Sequence, residues 1–220
     1  GVYRTESGKV QQFSAEEMKP SSLSFKIACK DPYWTKISRI KAKWYIKFVL
    51  NGGNPVTGVP NKNWRGIRPV HCREAVALYL NIGYMCTLEN FQKRVLTFQG
   101  VLLDNNKNAI DTSKIISRLE NLSGFDIGLV YAGNGVAGLG GGRTWGVYQK
   151  SFLYHYENSG GCCTTIFHEL GHCLGYSHNS TMTYGQWASG CADVFYKNNI
   201  KDFPVNSHTI LKSRSNPNIY

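Results

Sequence analysis

Residues 168–178 read His-Glu-Leu-Gly-His-Cys-Leu-Gly-Tyr-Ser-His, which sets three imidazoles, a carboxylate and a glycine at fixed intervals. His168 and His172 stand four apart, so on a helix both rings leave the same face one turn apart. Two imidazole nitrogens so placed reach one Zn²⁺ at roughly 2.0–2.1 Å each. His178 cannot join them from a continuing helix, because ten residues beyond His168 it would sit about 15 Å up the axis and rotated away. The helix must therefore stop, and the chain must turn back before His178. Gly175 stands where that happens, free to take the left-handed conformation that ends helices. Glu169 lies about 100° round the helix from His168. That puts it beside the metal, off the ligand face, where a general base toward a metal-activated water belongs. A bare His-Glu-x-x-His arises by chance in many proteins. The added glycine and third histidine cut such matches by roughly two further orders of magnitude at ordinary residue frequencies.

The elements that must position this group follow from hydrophobic spacing. Cys163, Ile166, Phe167, Leu170, Cys173 and Leu174 fall opposite His168 and His172. The spacing predicts a helix over about 162–174, started at Ser159–Gly161, with one side in a core and the other on a cleft. Upstream, 1–37 is polar without a period and reads as an extended segment. Alternation from Ile40 to Leu50, with Lys41, Lys43 and Lys47 on the second set, predicts a half-buried strand with a basic outer face. Residues 51–63 read as loop, 69–80 as a helix with Pro69 in its first turn, and 95–103 as a second strand. Asp104–Asn108 is a turn. Asp111 or Thr112 caps a helix to about Leu122, with Ile115, Ile116, Leu119 and Leu122 on one face. Phe125–Tyr131 and Thr144–Tyr154 are predicted strands, separated by a glycine-rich loop over 133–142. Gly133, Gly135 and Gly138 form a G-x-G-x-x-G, but three further glycines at 140–142 will not open the helix that a dinucleotide site requires.

The whole chain bounds the answer. Its 220 residues fit one domain with a real core, and 42% hydrophobic against 18% charged residues exclude a disordered or coiled-coil composition. No apolar run reaches membrane-span length. The formal charge of +11 favours acidic partners. The seven cysteines, without a Cys-x-x-Cys pair, point to an oxidising compartment and to structural disulfides. Cys173 and Cys191 flank the histidines and could tie the helix to the C-terminal segment, while Cys72 and Cys86 bracket a helix end. The odd count leaves at least one thiol unpaired within the chain. The start at Gly1 reads as a mature or trimmed product. His71, His155 and His208 lack ligand spacing and are expected to be structural or surface residues.

Over Thr165–Tyr184 the chain resembles the metzincin metallopeptidases. Their zinc motif is matched in full, and Thr181-Met182-Thr183-Tyr184 is similar to their methionine turn. Here Met182 follows His178 by only four residues, and Asn179 stands where familiar branches carry Asp, Ser, Glu or Pro, so no subfamily is assigned. The resemblance implies an α/β (α+β) fold: a twisted, mostly parallel sheet with helices, an active-site helix and an irregular C-terminal subdomain. It implies one catalytic domain over 1–220, with an N-terminal segment 1–37, an N-terminal subdomain 38–175 and a C-terminal subdomain 176–220. The cleft runs between the two subdomains. The helix at about 112–122 has no counterpart in that architecture.

The implied activity is that of a secreted zinc-dependent endopeptidase, in the extracellular space, the periplasm or at the cell surface. His168, His172 and His178 would be the Zn²⁺ ligands, Glu169 the base, and Tyr184 an oxyanion donor, as in astacin-like and serralysin-like members. Gly175 and Met182 would shape the site. An open strand edge near Trp145–Tyr148 would pair with extended substrate. The expected partner is a protein or peptide substrate, an acidic one being favoured by the charge, with no specific nucleic acid and no transmembrane segment. Two alternatives from other classes stand beside this: a zinc-bearing binding or adhesion module without activity, and a basic polyanion-binding protein. An intact Glu169 argues against the first, and no recognition element supports the second.

Overall fold

The computed structural model describes residues 2–4, 10–12, 32–55, 57, 59, 62–131, 135–155 and 162–206. The chain divides into two compact units, Gly1–Asp31 and Pro32–Tyr220. In the first, β1 (Val2–Arg4) pairs antiparallel with β2 (Val10–Gln12).

The second unit opens with a short helix, α1 (Pro32–Ile37), where the sequence was read as extended. Its sheet is built on β5 (Gly124–Val130), whose near-continuous burial is what a central strand requires. On one side β5 pairs parallel with β3 (Tyr45–Phe48), Ile46 opposite Phe125; on the other it pairs parallel with β7 (Thr144–Tyr148), Ile127 opposite Trp145. The antiparallel strand β6 (Gly138–Gly141) closes the order β3-β5-β7-β6, and β4 (Trp64–Arg65) pairs with the end of β5. The fold is thus mixed α/β with a mostly parallel sheet.

Several expectations change. The alternation from Lys41 to Phe48 holds in exposure, but only 45–48 forms a strand, and Val49 rather than Leu50 turns inward because the chain leaves the sheet into a turn at 50–52. No strand forms over 95–103. Val95 belongs to helix α3 (Glu89–Leu96), buried one turn after Phe91, and the residues after it are turns and a single bridge, Leu103 to Ala109. Helix α2 (Pro69–Cys86) continues past Leu80, because Ile82, Met85 and Cys86 keep its buried face. The strand expected over 144–154 gives way after Tyr148 to α5 (Gln149–Leu153). The expected helix over 112–122 is present as a 3₁₀ turn, Thr112–Lys114, leading into α4 (Ile115–Glu120), with the Asp111 carboxylate accepting from Ser113 N at 3.1 Å.

One core runs from α2 through the sheet to Phe203. Tyr79 stacks on Phe125 at 4.5 Å between ring centroids, and Trp145 and Phe152 meet edge to face. The remaining helices are α6 (Cys162–Cys173) and α7 (Val194–Asn199), the latter entered through a π turn at Ala188–Asp193. A buried polar chain links α2 to α7. Asn81 Nδ2 donates to Tyr196 Oη at 2.9 Å, which leaves that hydroxyl to donate to His155 Nδ1 at 2.8 Å. His155 Nε2 in turn stands 3.4 Å from Glu74 Oε2. His71 and His155 are therefore interior residues, and His208 lies outside the described residues.

The expected disulfides do not form among Cys72, Cys86, Cys163, Cys173 and Cys191. Cys72 and Cys86 lie on one helix, about 21 Å apart along its axis, against the roughly 6 Å between Cα atoms that a disulfide spans. Cys173 Sγ donates instead to Thr144 O at 3.4 Å, and Cys163 Sγ to His155 O at 3.2 Å. Burial pushes the Cys173 thiol up to about 12 and Cys191 to about 11, so both remain protonated at neutral pH. Cys29 and the Cys162 side chain lie outside what is described. Among the described residues no helix is long and apolar enough to cross a membrane.

Candidate metal centre

Helix α6 carries the first two imidazoles and sits between the core and an open cleft. Cys163, Ile166, Phe167, Leu170, Cys173 and Leu174 are all buried, as their spacing predicts, while His168 and His172 are half-buried on the other side. The helix ends in a Schellman turn: Gly175 N donates to His172 O at 2.9 Å and Tyr176 N to Gly171 O at 3.1 Å. Gly175 has φ +92°, the left-handed value that lets the chain reverse. His178 then returns toward the helix. Ring centroids lie 4.8 Å apart for His168 and His172, 5.3 Å for His168 and His178, and 4.8 Å for His172 and His178.

The hydrogen bonds define the protonation of the first two rings. His168 Nδ1 is bonded to the carbonyl of Thr183, and His172 Nδ1 to that of Tyr176 at 2.7 Å. A carbonyl only accepts, so each Nδ1 carries the proton and each neutral ring leaves Nε2 bare. Those two bare nitrogens face each other at 3.2 Å. Two lone pairs at that distance repel unless a cation lies between them. A tetrahedral zinc with arms of 2.0–2.1 Å sets its ligand nitrogens roughly 3.3–3.4 Å apart, close to what is found. Burial lowers the pKa of both rings against the opposing pull of their carbonyl partners, with the neighbouring imidazoles lowering it further. Both are thus in the neutral form a metal ligand needs. One ligand atom from each of the three histidines lies within 4.8 Å of the others. The donor set fits zinc.

Glu169 is buried, with Oε1 4.0 Å from His168 Nε2. Burial alone raises its carboxyl to about 8, and a dication beside it would favour the ionised form. The carboxylate reaches from α6 onto β6, where glycine is required. A Cβ on Gly138 would fall 2.6 Å from Glu169 Cγ, and one on Gly140 would fall 2.5 Å from Glu169 O. The stretch read as a glycine-rich loop is therefore in part a strand whose missing side chains admit the helix and its carboxylate. The edge of the sheet on this side is β6; Trp145–Tyr148, expected to offer that edge, lies inside the sheet between β5 and β6.

Met182 is fully buried, and its turn packs closely against α6 at Gly171, where a Cβ would lie 2.7 Å from Met182 O. Tyr184 is half exposed, its ring 4.9 Å from His168 and 5.6 Å from His178. The three histidines, Glu169 and Tyr184 line a cleft of about 680 Å³, in which Glu169 is the one carboxylate among the described residues. The local motif did not reveal Asn105 and Arg118, which reach the chain between the second and third imidazoles from segments 56–72 residues away. A turn and a helix were legible around them, but nothing local shows which way those two side chains point. Compared with known protein families, curated proteins and solved structures, the chain matches none.

Proposed function

We propose that this protein is a zinc-dependent endopeptidase of the metzincin kind. The observation that carries the reading is the pair of bare Nε2 atoms 3.2 Å apart, each fixed by a main-chain carbonyl behind it, with a buried carboxylate alongside. An inert zinc-binding module has no need of that carboxylate.

His168, His172 and His178, which all line the cleft, would hold the metal. Zinc, when bound, polarises the scissile carbonyl and acidifies the attacking water. Glu169 takes the proton from that water and delivers it to the leaving amine. Its burial excludes bulk water from the carboxylate, so the proton it holds is kept for the nitrogen. Tyr184 swings its phenol to the oxyanion, where charge develops only in the transition state. An extended peptide adds along the outer edge of β6 by main-chain hydrogen bonds. The substrate is a protein or peptide chain. Among the described residues the cleft lining has no Lys, Arg or Asp and Glu169 is its one carboxylate, so its walls offer no cation to select an acidic side chain beside the metal.

The test is a fluorogenic peptide library with and without chelator, read beside elemental analysis. One zinc per chain is expected, with hydrolysis that chelator stops. Glu169→Gln should keep the zinc and lose about 10²–10⁴-fold in turnover. No zinc uptake, or wild-type turnover in Glu169→Gln, would refute the reading.

A further inference from the structure

The Schellman turn ends α6, but it does not by itself bring His178 back. The peptide groups that follow are taken up by a loop distant in sequence. Asn105 Nδ2 donates to Gly175 O at 3.1 Å, and Asn105 Oδ1 accepts from Ser177 N at 2.7 Å and Ser177 Oγ at 3.1 Å. Lys107 Nζ donates to Asn179 O. Leu103 N donates to Thr181 Oγ1 at 2.7 Å, while Leu103 O accepts from Ser180 Oγ at 2.7 Å and Thr181 N at 3.1 Å. The return from Gly175 to Thr181 is thus gripped along its length on both sides of His178.

The gripping loop is stiff in its own right. Asp104 Oδ1 accepts from Asn106 N at 2.8 Å and Asn108 N at 2.9 Å, and Asp104 N donates to Asn108 O at 2.9 Å. With its loop closed by Asp104, the Asn105 amide is directed outward. It holds the residues on either side of Tyr176, whose carbonyl orients His172. Arg118 on α4 supports the same point, donating to Leu174 O at 2.6 Å and to the Tyr176 hydroxyl. The task at position 105 calls for one donor and one acceptor on a short stem. Aspartate lacks the donor and alanine lacks both.

We propose that Asn105 is the positioning residue of the metal centre: its amide fixes the return that carries His178 and the carbonyl that orients His172. The inference rests on the metal-centre reading above. Through Arg118 it also gives a role to the helix at about 112–122, for which the metzincin resemblance supplies no counterpart. Asn105 itself touches neither metal nor substrate, so its effect must pass through the histidines.

The experiment is a zinc dissociation constant, measured by chelator competition, for the wild type, Asn105→Ala, Asn105→Asp, His178→Ala and the double variants. Losing a group that orients a ligand costs about 10–100-fold in metal affinity, which is the expected loss for Asn105→Ala. Asn105→Asp keeps the acceptor for Ser177 and should lose less. In the His178→Ala background the same change at 105 should cost clearly less than in the wild type, because only the part that passes through the Tyr176 carbonyl and His172 is left. A wild-type zinc constant in Asn105→Ala would overturn the proposal. So would an equal fold loss with and without His178, the mark of general destabilisation. Should the alanine variant not fold, Asn105→Asp runs the same cycle with the same criterion. Failure of the wild type to bind zinc would instead overturn the metal-centre reading and this inference with it. Zinc binding with an insensitive Asn105 would overturn this inference alone.

Discussion

Gly140→Ala is the most direct test of how closely β6 and α6 must approach. The added Cβ would lie 2.5 Å from Glu169 O and 2.9 Å from Glu169 Oε2. Ordinary contact begins at 3.4 Å, so the strand and helix must part by about 0.9 Å. The nearest atom is a helix carbonyl, which has no rotamer by which to yield. The displacement therefore falls on β6, whose residue 140 is paired with Trp145. Overpacking of this kind costs about 1–3 kcal/mol. For a domain of this size each kcal/mol lowers the Tm by about 2–4 °C, giving an expected drop of about 2–12 °C. Glu169 moves with the contact, and a 1 Å misplacement of a catalytic group costs on the order of 10²-fold in turnover. Thermal unfolding and peptide hydrolysis should thus both fall, with zinc retained. Gly185→Ala is the matched control on the same cleft, because its Cβ would meet nothing within 4 Å. A Gly140→Ala protein with unchanged Tm and turnover would show that the close approach is not required and would refute the reasoning.

Two further outcomes follow from the same geometry. Tyr184→Phe should lower kcat by about 10²–10³-fold with little change in KM or zinc content, as expected for a donor used only in the transition state; wild-type turnover would make Tyr184 a packing residue. His71 is buried, and its Nδ1 accepts from Arg68 N at 3.2 Å, so protonating it breaks that bond as well as charging an interior ring. Burial first, then the nearby Arg68 charge, lowers its pKa against the pull of Glu74. The unfolded chain therefore binds the proton more readily. The His71 contribution is intact above about pH 6.5 and is lost as pH falls through the depressed folded value. His71→Asn, read by denaturant unfolding of both proteins from pH 8 to 5, should lose less stability on acidification than the wild type. Parallel curves would show that His71 titrates normally.

The centre was legible because its logic is local. Spacing of four places two rings on one helix face, and a glycine three residues later must end that helix; both statements need only helix geometry. The apolar face of α6 was legible for the same reason. The errors arose where the deciding partner is distant. The stretch 95–103 reads as a strand from its sequence, yet Phe91 and Val95 form a buried helical pair, and Leu96 and Val101 are exposed. Gly138–Gly141 has no side-chain period at all, and only pairing with β7 makes it a strand. Cysteine number suggested bridges, but number carries no distance, and Cys72 and Cys86 prove to be the two ends of one helix. Asn105 was invisible because its partners lie 70 and 72 residues away.

The two helix-borne imidazoles are oriented by main-chain oxygens, those of Thr183 and Tyr176, not by side-chain carboxylates. Every amino acid supplies a carbonyl, so substitution cannot delete the orienting groups themselves. Positions 176 and 183 can drift over evolutionary time without loss of the ligand tautomers, provided the chain path holds. The constraint passes to whatever shapes that path: a turn glycine, a loop amide, a tight approach under the helix. Related sequences would then preserve the centre while their neighbouring residue identities diverge. With main-chain oxygens and not carboxylates behind these two rings, a bound dication would have its charge opposed by little besides Glu169. A metal-loaded cleft floor would then stay electron-poor toward an incoming carbonyl oxygen, and ligand basicity would be tuned by moving backbone, not by exchanging a side chain.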